Sequence, residues 1–199
     1  SISYADVDNI SSKIANCLQD LGANKGDRVT AMIEKSVGNL FLYLGCLKAG
    51  LVYHPMNTGY QTSEISFMLE DAGPTIIVCS RIQKSIIESV FPAKKVKAIL
   101  TLENDGTGTL VESYRGFSEN TTVTKCSGND AAALLYSSGT TGKPKGIVLS
   151  HKNLSSNAST LSKAWGFTRQ DRLLHALPIY HVHGLFVALG PVLLNGASM

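Results

Sequence analysis

Residues 137–146, with the sequence SSGTTGKPKG, form the segment whose composition points most directly to chemistry. Its three glycines allow successive backbone N–H groups to turn into one concavity, which suits phosphate oxygens. Its hydroxyls add hydrogen-bond donors, one of which can reach a phosphate-bound Mg²⁺, and its lysines add positive charge. An ordinary Gly/Ser-rich turn rarely combines these groups between apolar strands. The run therefore predicts a phosphate-binding loop, with contacts from Ser137, Ser138, Gly139, Thr140, Thr141, Gly142, Lys143 and Lys145.

The loop departs from the Walker A pattern G-x-x-x-x-G-K-[ST] at two positions. When its last glycine and lysine are aligned with Gly142 and Lys143, the first glycine position holds Ser137. The final Ser/Thr position holds Pro144. We therefore do not expect a P-loop NTPase.

Residues 177–184, LPIYHVHG, form the second suggestive segment. On an extended segment, His181 and His183 would point to the same side, because side chains alternate along a strand. A metal pair is one interpretation, but no third ligand follows at a recognisable spacing. A lone histidine is more often a structural hydrogen-bonding residue. A histidine fixed after Pro178 and before a glycine also suits the floor of a binding pocket.

Alternating helical and strand patterns must position these two segments. The spacing of apolar residues predicts helices near residues 10–21, 39–48, 62–71, 81–90, 110–114, 153–165 and 184–194. Strands are predicted at residues 28–33, 51–54, 75–79, 96–100, 131–136, 147–150 and 172–177. Helices between all-apolar strands indicate βαβ units and a mostly parallel sheet covered by helices. We expect an α/β fold, with a first subdomain and surface connection over residues 1–125 and a second subdomain beginning in residues 126–199.

The composition excludes several classes of protein. The 199 residues are 44% hydrophobic and carry a net charge of +3, which excludes a disordered chain and a disulfide-dependent miniprotein. The sequence has no basic stripe, so nucleic-acid binding is not expected. The four cysteines, Cys17, Cys46, Cys79 and Cys126, are too far apart for a paired zinc or redox site and are predicted to be buried thiols. Without a signal peptide or an apolar run of about 20 residues, we expect no membrane span and an intracellular location, in the cytoplasm or mitochondrial matrix.

The phosphate-loop run resembles the signature of the AMP-forming acyl-CoA synthetase superfamily. Every position matches the family pattern [ST]-[ST]-G-[ST]-[ST]-G-x-P-K-G. Tyr4-x-x-Val7, the string GDRV at residues 26–29 and LGCLKAG at residues 44–50 are also similar to family segments. The resemblance implies a ligase that converts a carboxylate, ATP and CoA into acyl-CoA, AMP and pyrophosphate. It also implies that the loop clamps the ATP β- and γ-phosphates and that the Ser137 hydroxyl is associated with Mg²⁺.

The histidine segment resembles the family string P-x-[FYL]-H, which implies that His181 lines the acyl pocket and orients the reacting carboxylate. The longer string PIYHVHGLF and PMNTGY at residues 55–60 are similar to the malonyl-CoA synthetase branch. That likeness implies malonate or methylmalonate as substrate, with His183 as a candidate group for the second carboxylate. A short- or medium-chain monocarboxylate ligase and an inactive nucleotide-binding or interaction module stay open as alternatives.

The same resemblance implies a longer enzyme. The family's Y-G-x-T-E segment, its ribose-binding aspartate, its hinge and its C-terminal lysine have no counterpart in these 199 residues. We therefore expect an N-terminal piece without the C-terminal domain. By itself, such a piece is expected to form no acyl-CoA and to bind ATP weakly.

Overall fold

The computed structural model describes residues 1–137 and 144–199, which form an α/β fold around one sheet. In this part of the chain the sheet has six strands in the order β4-β3-β1-β2-β5-β6. Strands β1 to β5 run parallel to one another, and β6 pairs antiparallel with β5 at the edge of the sheet. The strands are Arg28–Met32 (β1), Val52–Pro55 (β2), Ile76–Cys79 (β3), Ala98–Thr101 (β4), Ala131–Ser137 (β5) and Lys145–Ser150 (β6). The predicted fold class is confirmed.

Helices cover both faces of the sheet. Alternate residues of β1 point in opposite directions, so that Val29 joins a core cluster with α1 and α2, whereas Met32 joins a cluster with α3 and α4. The α-helices are Tyr4–Asp20 (α1), Val37–Lys48 (α2), Thr62–Ala72 (α3), Arg81–Val90 (α4), Thr109–Tyr114 (α5), His151–Ala164 (α6) and Leu189–Asn195 (α7). A 3-10 turn spans Ala93–Lys95, and a π-helical segment spans His183–Ala188.

Local signals set several of these helix ends. The Ser36 hydroxyl accepts a hydrogen bond from the backbone N–H of Asn39 at 3.2 Å, which caps α2 as the sequence predicts. Gly50 follows that helix with a φ of +70°, a backbone conformation that residues other than glycine rarely adopt. Ser150 caps α6 in the same way, so that this helix begins before the predicted residue 153.

One predicted strand does not form in the structure. The predicted strand at residues 172–177 is wrong: Arg172 forms an isolated bridge with Ser198, and Leu174 is 90% exposed. An apolar run alone supplies no pairing partner for its backbone.

The cysteine prediction is confirmed for the three buried thiols of Cys17, Cys46 and Cys79, whereas Cys126 is only half-buried.

Strands on both sides of the predicted boundary at residues 125/126 lie in the same sheet, because β5 pairs with β2 through Tyr53 and Ala133. The division into two subdomains stays a prediction.

His54 in β2 is fully buried, and its Nδ1 atom lies 2.8 Å from the Thr30 hydroxyl. Its Nε2 atom has no hydrogen-bond partner among the described residues. Burial lowers the pKa of His54 from 6.5 to about 4, and the Asp71 carboxylate opposes this shift only in part. The folded chain therefore keeps this ring neutral at neutral pH.

This shift predicts a loss of stability in mild acid. Between pH 6.5 and about 4 the unfolded chain binds a proton on His54 that the folded chain does not, so the free energy of unfolding falls as the pH falls through this window. From pH 7.5 to 5.0 the expected loss from His54 is about 2 kcal/mol. Urea titrations at both pH values measure it. The drop should be smaller by this amount in His54→Leu and unchanged in His183→Gln, and an equal drop in all three proteins would contradict the prediction.

Candidate functional site

A cavity of about 130 Å³ lies where β2 and β5 end. In parallel sheets, ligands bind at the carboxyl ends of the strands, because loops from several strands meet there. Ser137 and His181, which are distant in sequence, both line this cavity. The other lining residues are Pro55, Tyr60, Met68, Leu135, Tyr136, Ile147, Leu149, Tyr180 and Val182.

The predicted phosphate loop leaves from the rim of this cavity. Strand β5 ends at Ser137 and β6 begins at Lys145, and these two exposed residues pair with each other. The flanking strands are therefore confirmed. The remaining predicted contact residues, Ser138, Gly139, Thr140, Thr141, Gly142 and Lys143, lie outside the described residues. Their contacts with phosphate stay a prediction, as do those of Ser137 and Lys145.

His181 and His183 do not lie on one extended segment, although the sequence predicts that their side chains point to the same side of one. Residues 179–181 form a turn, and His183 begins the π-helical segment, so the expected extended geometry is wrong. The backbone N–H of Leu185 donates to the carbonyl of His181 at 2.9 Å, which forms the first helical turn after it. His181 lines the cavity, with its ring 4.6 Å from that of Tyr180, whereas His183 is exposed and is not among the lining residues described.

Gly184 allows this turn to form. A Cβ at this position would overlap the carbonyl oxygen of Pro178 and would lie 2.8 Å from its carbonyl carbon. The Gly184 carbonyl also lies 2.9 Å from Nε2 of His175, which gives that histidine a structural role. The close approach of two backbone segments thus places His181 at the cavity.

Replacing Gly184 with alanine is expected to destabilise the fold by about 3 kcal/mol, because backbone atoms cannot move aside as a flexible side chain can. Gly116→Ala is the matched control: a Cβ there meets nothing within 4 Å, and the free energy of unfolding should change by less than about 1 kcal/mol. Urea denaturation of both variants measures the difference. Equal stability of the two variants would contradict this explanation of the turn.

Tyr136 is a site residue that the motif analysis missed. Its hydroxyl donates to Oδ2 of Asp71 at 2.6 Å, and its ring lies 5.3 Å from that of His54. Partial burial raises the pKa of Tyr136, and the hydrogen bond to the Asp71 carboxylate raises it further. Its position directly before the loop was the available signal. Tyr60, from the string at residues 55–60, also reaches the cavity, and burial raises the pKa of its hydroxyl.

A larger cavity of about 530 Å³ lies between α1 and α7, lined in part by Tyr4, Val7 and Val192. Its described lining includes none of Ser137, Lys145, His181 and His183. We assign the site to the smaller cavity because that cavity joins Ser137 to His181. None of the helices in residues 1–137 and 144–199 combines the length and apolar character needed to cross a membrane.

The protein family described as AMP-binding enzyme matches the whole chain, residues 1–199. The chain is 32% identical over 184 residues to the long-chain-fatty-acid–CoA ligase FadD13 of Mycobacterium tuberculosis, covering 92% of this chain and 36% of that protein. It is 27% identical over 172 residues to the malonate–CoA ligase of Arabidopsis thaliana, covering 86% and 28%. The chain thus spans about a third of the length of these curated relatives.

Solved structures show the same likeness. ATP-bound MatB from Rhodopseudomonas palustris superposes with a TM-score of 0.95 at 45% identity, covering 100% of this chain and 39% of that one. The N-terminal domain of FACL13 from Mycobacterium tuberculosis superposes with a TM-score of 0.86 at 29% identity, covering 98% and 48%.

Proposed function

Because the chain belongs to the AMP-binding enzyme family, we propose that the polypeptide containing it is an ATP-dependent acid–CoA ligase that acts on malonate or methylmalonate. The reaction converts the acid, ATP and CoA into acyl-CoA, AMP and pyrophosphate. The single observation that carries this proposal is the cavity that joins Ser137, at the start of the phosphate-loop run, to His181. An acid held by His181 would lie next to the phosphates of ATP.

The first half-reaction joins the acid to AMP. An oxygen of the substrate carboxylate attacks the α-phosphorus of ATP, the bond to the β-phosphate oxygen breaks, and pyrophosphate leaves with the electron pair. The loop residues 137–146 supply backbone N–H groups, hydroxyls and lysines that hold the negative charge developing on pyrophosphate. In the second half-reaction the CoA thiol attacks the acyl carbon, and AMP leaves.

The Ser137 hydroxyl is exposed at the cavity rim, and hydroxyl oxygen is a hard donor of the kind that Mg²⁺ prefers. Bound there with the phosphates, the ion would neutralise charge on the leaving pyrophosphate. His181 has a positioning role: its imidazole would hold the acid in the orientation for attack. The ring of its neighbour Tyr180 packs against it, with the ring centroids 4.6 Å apart.

The size of the cavity and the polar side chains in its wall favour a short polar acid. Its volume of about 130 Å³ is below the range of roughly 300–1,000 Å³ typical of sites for drug-sized ligands. Besides His181, which is assigned to the reacting carboxylate, Tyr60 and Tyr180 bring polar groups to its wall. A second carboxylate needs such groups, because burying a charge without hydrogen bonds is costly. The 27% identity to a malonate–CoA ligase supports the same substrate class.

A monocarboxylate ligase is the second candidate. The 32% identity to a long-chain-fatty-acid–CoA ligase favours it, as do the apolar lining residues Met68, Leu135 and Ile147. An acid panel separates the two. Purified polypeptide containing this chain is assayed for CoA thioester formation with malonate, methylmalonate, acetate and octanoate, with ATP omitted as the control. The proposal expects the highest kcat/KM for one of the two dicarboxylates. Preference for acetate or octanoate would support the second candidate, and no thioester from any acid would overturn both.

A further inference from the structure

The carboxyl end of β5 has little backbone attachment to the parallel part of the sheet. The described register pairs β5 with β2 at Tyr53 and Ala133, and β2 ends at Pro55, which has no N–H to donate. Beyond Ala133, β5 continues to Ser137 paired with β6. Beyond Ala133, side chains rather than a parallel backbone ladder therefore connect β5 to the rest of the fold, among them the buried Leu134 and Leu135.

Tyr136 adds a polar connection at the last residue before Ser137. It pairs with Gly146 across the β5–β6 ladder, and a Cβ at Gly146 would lie 3.5 Å from Cζ of the tyrosine ring, so the ring covers that glycine. The other contacts of the ring reach the body of the protein. His54 in β2 packs against it, and the hydroxyl donates to Asp71 near the end of α3, 65 residues away in sequence.

We propose that Tyr136 is a positioning residue that holds the ends of β5 and β6, and with them Ser137, through its hydroxyl bond to Asp71. This inference rests on the proposed function, since it assigns the bond a purpose in binding the phosphates of ATP. In this proposal Tyr136 acts through Ser137, its neighbour in the chain and at the same cavity.

The variants separate the hydroxyl bond from the packing of the ring. Tyr136→Phe keeps the ring over Gly146 and against His54 but removes the donor. Asp71→Ala removes the acceptor, whereas Asp71→Asn keeps an acceptor oxygen. Tyr4→Phe is the control, because it removes a tyrosine hydroxyl that donates to the carbonyls of Val192 and Ala197 at 3.0 and 2.8 Å, and the described lining of the site cavity includes none of these residues.

Steady-state kinetics of the polypeptide containing this chain give the first readout. Tyr136→Phe and Asp71→Ala should each raise the KM for ATP about tenfold, as expected for loss of a charge-assisted hydrogen bond, and should change the KM for the acid less than about twofold. The double variant should be no worse than either single one, because both remove the same bond. Asp71→Asn should stay within about threefold of the wild type, and Tyr4→Phe should not change the KM for ATP.

Amide hydrogen exchange of the chain, without nucleotide, gives the second readout. Peptides covering residues 134–137 and 145–147 should exchange about fivefold faster in Tyr136→Phe and at the wild-type rate in Tyr4→Phe. Unchanged exchange in these peptides, or Tyr136→Phe and Tyr4→Phe with the same KM for ATP, would overturn the inference. If the wild-type polypeptide forms no acyl-CoA with any acid, the proposed function fails, and the exchange rates alone then decide whether Tyr136 holds the strand ends.

Discussion

Replacing His181 with alanine is expected to lower kcat/KM about 100-fold on every acid that the polypeptide uses, because a misplaced reacting group costs about this much. His181 lines the same cavity as Ser137, and Tyr180 packs against its ring. Its proposed partner is the carboxylate that attacks ATP, a group common to all the acids. The loss should therefore be similar for malonate and acetate.

The measurement compares kcat/KM of wild type, His181→Ala and His181→Gln on both acids. Glutamine keeps an N–H donor and should recover part of the loss, which a purely steric role of the ring would not predict. Urea denaturation of the same variants should show a small change in stability, because His181 is exposed. A loss confined to malonate would contradict the assignment of His181 to the reacting carboxylate.

Replacing His183 with alanine is expected to lower the ratio of kcat/KM for malonate to that for acetate about tenfold or more, as loss of a hydrogen bond to a charged group predicts. A site built to bind a polar group discriminates strongly against analogues that lack it. His183 is exposed at the start of the π-helical segment, two residues beyond the cavity residue His181. It therefore contributes only if the far carboxylate of the substrate extends past the described cavity.

The same assay decides the role of His183. The KM for ATP should not change in His183→Ala, and His183→Gln, which keeps a donor, should retain most of the preference for malonate. Equal losses on malonate and acetate would contradict the role of His183 and leave recognition of the second carboxylate to other residues.

Most of the fold could be predicted because its signals are local. Apolar runs predicted the buried strands. Ser36 caps α2 as expected, and Gly50 follows this helix with a left-handed backbone conformation. The segment 172–177, wrongly predicted as a strand, has apolar residues, but within residues 1–137 and 144–199 its only bridge is the one at Arg172. Strand formation depends on a neighbouring strand, often distant in sequence, and composition does not reveal that neighbour.

The site was less predictable because its geometry comes from contacts distant in sequence. The motif placed Ser137 between two strands, but only the fold shows that it shares a cavity with His181. The turn at His181 depends on the approach of Gly184 to the backbone of Pro178, which a period-two pattern cannot distinguish from a strand. The bond between Tyr136 and Asp71 crosses 65 residues and has no sequence motif.

Isotope exchange between pyrophosphate and ATP tests the proposed reaction most directly. If the acid attacks the α-phosphorus to give an acyl-adenylate, the first half-reaction is reversible and needs no CoA. The polypeptide containing this chain, given Mg²⁺, ATP and labelled pyrophosphate, should therefore incorporate label into ATP when malonate is added and not when it is omitted. Formation of ADP and phosphate with malonate and CoA, without any malonate-dependent exchange, would contradict an AMP-forming ligase.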